Sequence, residues 1–111
     1  MARREHLGEF EQIVLLAVLR LGENAYGVPV RREIEQRTRR SLTVGALYRT
    51  LDRLEDKSYV HSWFSDPTAE RGGRSKRYFK VEPLGMRALR ESREALTAMW
   101  EGLDGQATHG S

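Results

Sequence analysis

Residues 41–54 read Ser41-Leu42-Thr43-Val44-Gly45-Ala46-Leu47-Tyr48-Arg49-Thr50-Leu51-Asp52-Arg53-Leu54. Leu47, Leu51 and Leu54 are spaced four and then three apart, which places them on one stripe of a helix. The other face carries Gly45, Tyr48, Arg49, Asp52 and Arg53. Ser41 and Thr43 both suit the N-cap, because a hydroxyl there can accept from an otherwise unpaired backbone N–H. The pattern ends near Lys57-Ser58. The stretch therefore predicts a helix docked by its leucines, with its opposite face free for recognition.

Downstream the period changes. Tyr59-Val60-His61-Ser62-Trp63-Phe64 is rich in β-formers and reads as a strand. Asp66-Pro67 ends it, Arg71-Gly72-Gly73-Arg74 reads as a turn or flexible loop, and Arg77-Tyr78-Phe79-Lys80-Val81 is a second strand. The two make a basic hairpin: Arg71 to Lys80 holds five basic residues and no acidic one.

Upstream, Tyr26-Gly27 reads as a turn and Val28 to Thr38 as a helix, with Pro29 in its first turn, where a missing N–H costs little. Val30 and Ile34 share one face, and Arg31, Arg32, Glu33, Glu35 and Arg37 make the rest polar. Before it, Glu9 to Leu21 carries Phe10, Ile13, Val14, Leu16, Ala17, Val18 and Leu21 around most of its circumference. That predicts a helix buried on most sides, stopped by Gly22.

After the hairpin, Glu82-Pro83-Leu84-Gly85 leads into a last helix running to about Leu103. Gly85, Leu89, Ser92, Leu96, Met99 and Leu103 follow an a/d heptad spacing. A small single core does not need so long an apolar stripe, and a second subunit would cover it. Gly102 to Ser111 is polar and Gly-rich, which predicts disorder.

The order is three helices, a strand, a basic turn, a strand and a helix. The fold expectation is mainly α with a small β-hairpin: a winged helix-turn-helix over residues 1–81, a C-terminal dimerisation helix over 82–103 and a disordered tail over 104–111. An α-helix fits the major groove of B-form DNA, and Lys and Arg displace phosphate counterions. The candidate DNA-binding residues are Thr43, Val44, Gly45, Tyr48, Arg49, Arg53, Arg71, Gly73, Arg74, Lys76 and Arg77. Tyr48 reads equally as a packing residue, and Arg53 as an ion-pair partner of nearby Glu55 or Asp56.

The 111 residues suit one domain. Hydrophobic residues make up 39%, enough for a core, and the net charge is +3. Its distribution says more than its size. Residues 31–80 hold thirteen Lys and Arg against seven Asp and Glu, whereas the rest of the chain is net acidic. The absence of cysteine excludes disulfides, thiolate metal sites and a cysteine nucleophile. No apolar run reaches membrane-spanning length, and Met1-Ala2-Arg3-Arg4-Glu5-His6 has no apolar stretch behind its charges, so a cytoplasmic protein is expected.

Catalysis finds no foothold. His6, His61 and His109 are scattered, and Gly72-Gly73-Arg74-Ser75-Lys76 lacks phosphate-loop spacing. The expectation is no enzyme, no cofactor and no metal. Two other readings compete: a winged helix that binds protein, which would have lost its basic surface, and RNA binding, which uses exposed aromatics. Most aromatics here are expected to be buried.

Several segments together resemble the PadR family of bacterial transcriptional regulators. They are Leu7-Gly8-Glu9-Phe10-Glu11, Ala25-Tyr26-Gly27, Gly45-Ala46-Leu47-Tyr48-Arg49-Thr50-Leu51, Leu54-Glu55 and Gly72-Gly73-Arg74-Ser75-Lys76-Arg77-Tyr78-Phe79. The resemblance covers residues 7 to 103, and the single final helix is similar to the short subgroup. It implies a homodimeric winged-helix repressor joined through the last helix with help from the first. Thr43, Gly45, Tyr48 and Arg49 would then face the major groove of double-stranded DNA, with the wing along the backbone. The interface expected from it comprises Leu7, Phe10, Leu89, Leu96, Met99, Trp100 and Leu103. Some short members bind flat aromatic compounds between the final helices, so Leu96 and Trp100 are candidates for contact with a small aromatic effector. The alternative for Trp100 is packing of the interface itself.

Overall fold

The computed structural model describes residues 7–66 and 75–103. Helix α1 spans Glu9–Leu21, α2 Gly27–Thr38 and α3 Val44–Asp56. Strands β1 (Val60–Phe64) and β2 (Arg77–Val81) follow, then α4 (Pro83–Trp100). The strands are antiparallel, with Val60 opposite Val81, Ser62 opposite Phe79 and Trp63 opposite Tyr78. The chain is mainly helical with one two-stranded hairpin, as its period changes predict. Residues 67–74 and 104–111, and with them the expected loop and tail, lie outside the described residues.

One core joins every element. Val14, Leu15 and Val18 of α1 meet Val30 and Ile34 of α2 and the Leu47, Leu51, Leu54 stripe of α3. Val60 and Phe79 close it from the hairpin, and Leu89 from α4. Burying such side chains contributes about 1.5–3 kcal/mol each, which sets the positions of α3 and the hairpin against the rest.

Four features differ from the sequence reading. Tyr26 is not in a simple turn: it is extended backbone capping α2 and forms a bridge to Tyr78, while the Phe79 N–H donates to the Ala25 carbonyl at 2.8 Å. A single residue thus serves as a rudimentary third strand, too short to leave a period in the sequence. Second, α1 is buried on most sides as expected, but Leu16, read as part of that buried surface, stands with Leu19 on its exposed stripe. Third, α4 ends at Trp100, so Leu103 lies in the turn beyond it rather than on its apolar stripe. Fourth, the aromatics are not mostly enclosed. Only Phe79 is fully buried, while Trp63, Phe64 and Trp100 are exposed.

The start of α4 lies against β1. A Cβ on Gly85 would sit 2.3 Å from the Tyr59 carbonyl oxygen, so no larger residue allows this crossing. Beyond Ser92 the helix leaves the core and every residue is exposed. The radius of gyration is 16.7 Å, against about 13 Å for a compact chain of this length.

Candidate nucleic-acid interface

The N-terminus of α3 is built from the turn before it. Arg39 takes a left-handed conformation (φ 60°) and reverses the chain after α2. Buried Leu42 anchors the turn, and its N–H donates to Glu35 Oε2 at 3.0 Å. Arg40 reaches Glu9 at 2.7 Å and ties the turn to α1. Of the two N-cap candidates, Thr43 serves: its Oγ1 accepts from the Ala46 N–H at 3.1 Å. Val44, Gly45 and Arg49 then stand on the exposed face.

Among the described residues, Gly45 has no crowding neighbour. A Cβ there would meet only the mobile end of Arg49, at 3.4 Å. Gly27 is the opposite case, since its Cβ would fall 2.2 Å from the Tyr48 hydroxyl. Tyr48 lies over the first turn of α2 and packs near Phe79, with ring centroids 6.3 Å apart. It is therefore half-buried and held by packing, while its rim lines a groove of about 280 Å3 between α2 and α3. Arg31 and Arg32 line the same groove. The sequence reading omitted them, and their place on the polar face of the helix preceding α3 was the available signal.

Two carboxylates fix α3 in place. Glu11 of α1 accepts from Arg53 at 3.3 Å, from Lys57 at 3.1 Å and from the Gly8 N–H at 2.9 Å. Arg53 thus pairs with α1 rather than with Glu55 or Asp56, a contact between residues distant in sequence. Glu55 accepts from the Ser62 hydroxyl and N–H and, at 2.7 Å, from Arg77. Arg77 also reaches Asp52 at 3.1 Å and lies over the Phe79 ring. Burial raises the pKa of both carboxyls, but these hydrogen bonds and cations outweigh it and hold both below the usual carboxylate value.

Thr43, Val44, Gly45, Tyr48 and Arg49 therefore converge at one end of α3, and Arg53 and Arg77 are drawn into brackets that orient it. Lys76 places its ammonium 4.6 Å from the Tyr26 ring centroid. Arg71, Gly73 and Arg74 lie outside the described residues. Of the expected interface residues, Leu7 and Leu89 are already buried in the chain's own core and Phe10 is half-buried. Leu96, Met99, Trp100 and Leu103 are exposed.

The family described as "Transcriptional regulator PadR-like family" matches residues 15–91. The chain belongs to the PadR-like family. Solved structures with the same fold include a transcriptional regulator from Clostridium thermocellum, with a TM-score of 0.68 and 20% identity, covering 86% of this chain and 89% of that one. A PadR family regulator from Clostridium difficile R20291 has a TM-score of 0.63 and 20% identity over 90% of this chain and 96% of its own. One from Eggerthella lenta has a TM-score of 0.66 and 22% identity over 89% and 86%. No curated protein matches the chain. This PadR-like chain is thus a transcriptional regulator with a winged-helix fold. No helix among its described residues is long and apolar enough to cross a membrane.

Proposed function

We propose that this PadR-like regulator is a homodimeric repressor. It binds an inverted-repeat operator near a promoter in the cytoplasm and is released by a small aromatic effector at the dimer interface. The observation that carries the DNA contact is the N-terminus of α3: an exposed Val44, a Gly45 whose bareness serves no contact among the described residues, and an exposed Arg49. A glycine in the first turn of a helix, as here, costs backbone entropy relative to alanine. Close approach of a partner's backbone to the helix accounts for keeping it. In this reading Thr43, Val44, Gly45, Tyr48 and Arg49 face the major groove. Arg71, Gly73, Arg74 and Lys76 serve the wing, and Arg53 and Arg77 hold α3 and the hairpin in register for it. Residues up to 81 bind DNA, and residues 82–103 pair the subunits.

Pairing is supported by the outer part of α4, which bares Leu96, Met99 and Trp100 on a stretch that no other described element covers. An isolated helix of that length is marginal in water, so a second copy supplies its packing. Pairing sets two α3 helices about 34 Å apart, one turn of DNA. Leu96 and Trp100, four residues apart on α4, face an effector held between subunits. Such an effector shifts the spacing of the α3 pair, and DNA must weaken its binding by the same factor.

The test is fluorescence anisotropy on duplex DNA from the region upstream of the protein's own gene, with a scrambled duplex as control, across a salt series. Tight binding to the first alone, weakening with salt, is the expected result. Absence of binding at low salt overturns the reading in favour of a protein-binding winged helix.

A further inference from the structure

Two valines stand where a solvated helix start is ordinarily polar. Val28 is the second residue of α2 and Val44 the first of α3, and they are 58% and 50% exposed. Neither belongs to the core. A single exposed apolar side chain is ordinary. These two, however, come from different helices and line one groove, together with half-buried Tyr48 and with Arg31 and Arg32. Local structure does not account for them either. Branching at Cβ restricts a side chain in a helix, and the first turn favours acidic groups.

The setting narrows what covers them. Val44 lies next to Gly45 and one turn before Tyr48, at the end of α3 that carries recognition. Arg31 lies 3.5 Å from Glu35, while Arg32 is exposed. Apolar side chains beside an exposed cation suit a polyanion that bears an apolar spot. In the major groove of DNA the base edges present donors, acceptors and one apolar group, the C5 methyl of thymine.

We infer that Val44 and Val28 read thymine. In each half-site the C5 methyl of one thymine packs against Val44 at the mouth of the groove between α2 and α3. Val28 closes the other side of that methyl, and Arg32 meets a neighbouring phosphate. The inference rests on the DNA reading of α3 and adds a base identity to it. It also gives α2, otherwise a supporting helix, a direct part in specificity.

Duplexes that the full-length protein selects from a random pool supply the operator. Its thymines are then replaced by deoxyuridine in symmetric pairs, one per half-site. Deoxyuridine keeps every hydrogen-bonding group and removes the methyl alone. Anisotropy should show affinity falling about fifteenfold at one such pair, the effect of two buried methyls. Val44→Ala should bind the thymine operator about as weakly as the parent binds the deoxyuridine one. It should lose nothing further from deoxyuridine at that pair, because both changes remove one contact. Val28→Ala should reduce the same sensitivity. Both positions are exposed, and thermal unfolding checks that each variant folds like the parent. Specific binding indifferent to every deoxyuridine pair overturns this inference and leaves the DNA reading standing. So does a deoxyuridine effect undiminished in Val44→Ala or in Val28→Ala. Selection of no duplex overturns both readings.

Discussion

Gly45 and Gly27 show how differently one residue type can be used on adjoining helices. Gly27 is required from inside, because Tyr48 occupies the space of its Cβ. Gly45 is not, and so offers a clean separation of stability from function. Gly45→Ala should raise stability by about 0.5–1 kcal/mol, since alanine is the better helix former, while lowering operator affinity by about tenfold or more. Thermal unfolding and DNA anisotropy on the same sample check both. Glu11 is the other telling residue. Its folded pKa is depressed, so its carboxylate stabilises the native state above the unfolded value of about 4.3. That stabilisation is lost as pH falls through the lower folded value. Glu11→Gln should therefore lower stability at neutral pH by about 1–2 kcal/mol and flatten the loss of stability below about pH 4.3. Urea unfolding across pH measures this. In the sequence Glu11 stood out only as the end of the Leu7-Gly8-Glu9-Phe10-Glu11 segment. Its ties to Arg53 and Lys57 join residues more than forty positions apart, and no local pattern encodes such a contact.

At the scale of elements, α3 was the most legible part because its leucine stripe, hydroxyl N-cap and polar face all agree. The hairpin was legible for the same reason, through its β-branched and aromatic runs. What escaped was the way the two are bolted together. Arg77 reads as a wing cation from its neighbours, yet it spans Glu55, Asp52 and Ser62. Arg77→Ala should thus cost about 1–2 kcal/mol of stability and also reduce operator affinity, because the hairpin loses its fixed angle to α3. A substitution that merely removed a phosphate contact would reduce affinity and the salt slope while leaving the melting temperature alone. Helix α4 divides at Ser92 into an inner part legible as core and an outer part legible only as unmatched apolar spacing. Leu96→Lys combined with Met99→Lys should yield a folded monomer by sedimentation, with the far-UV signature of residues 7–91 retained.

For the whole molecule, the decisive quantity is the placement of charge. The basic middle of the chain folds around α3 and the hairpin, and the acidic remainder supplies Glu9 and Glu11 as internal counterions. Operator affinity should therefore fall linearly with the logarithm of salt concentration, and Glu11→Gln should steepen that slope by releasing Arg53 from its ion pair. Anisotropy at several ionic strengths measures it.

The hydrogen bond from the Phe79 amide to the Ala25 carbonyl has a kinetic consequence. It joins the two halves of the chain and closes a loop of about half its length, which carries an entropic cost before any contact offsets it. The helices can assemble from nearer neighbours, so β2 should dock late in folding. Phe79→Leu would then accelerate unfolding while leaving the folding rate nearly unchanged, a φ-value near zero. In hydrogen exchange, the β2 amides would open by a sub-global route while those of the α3 stripe wait for global unfolding.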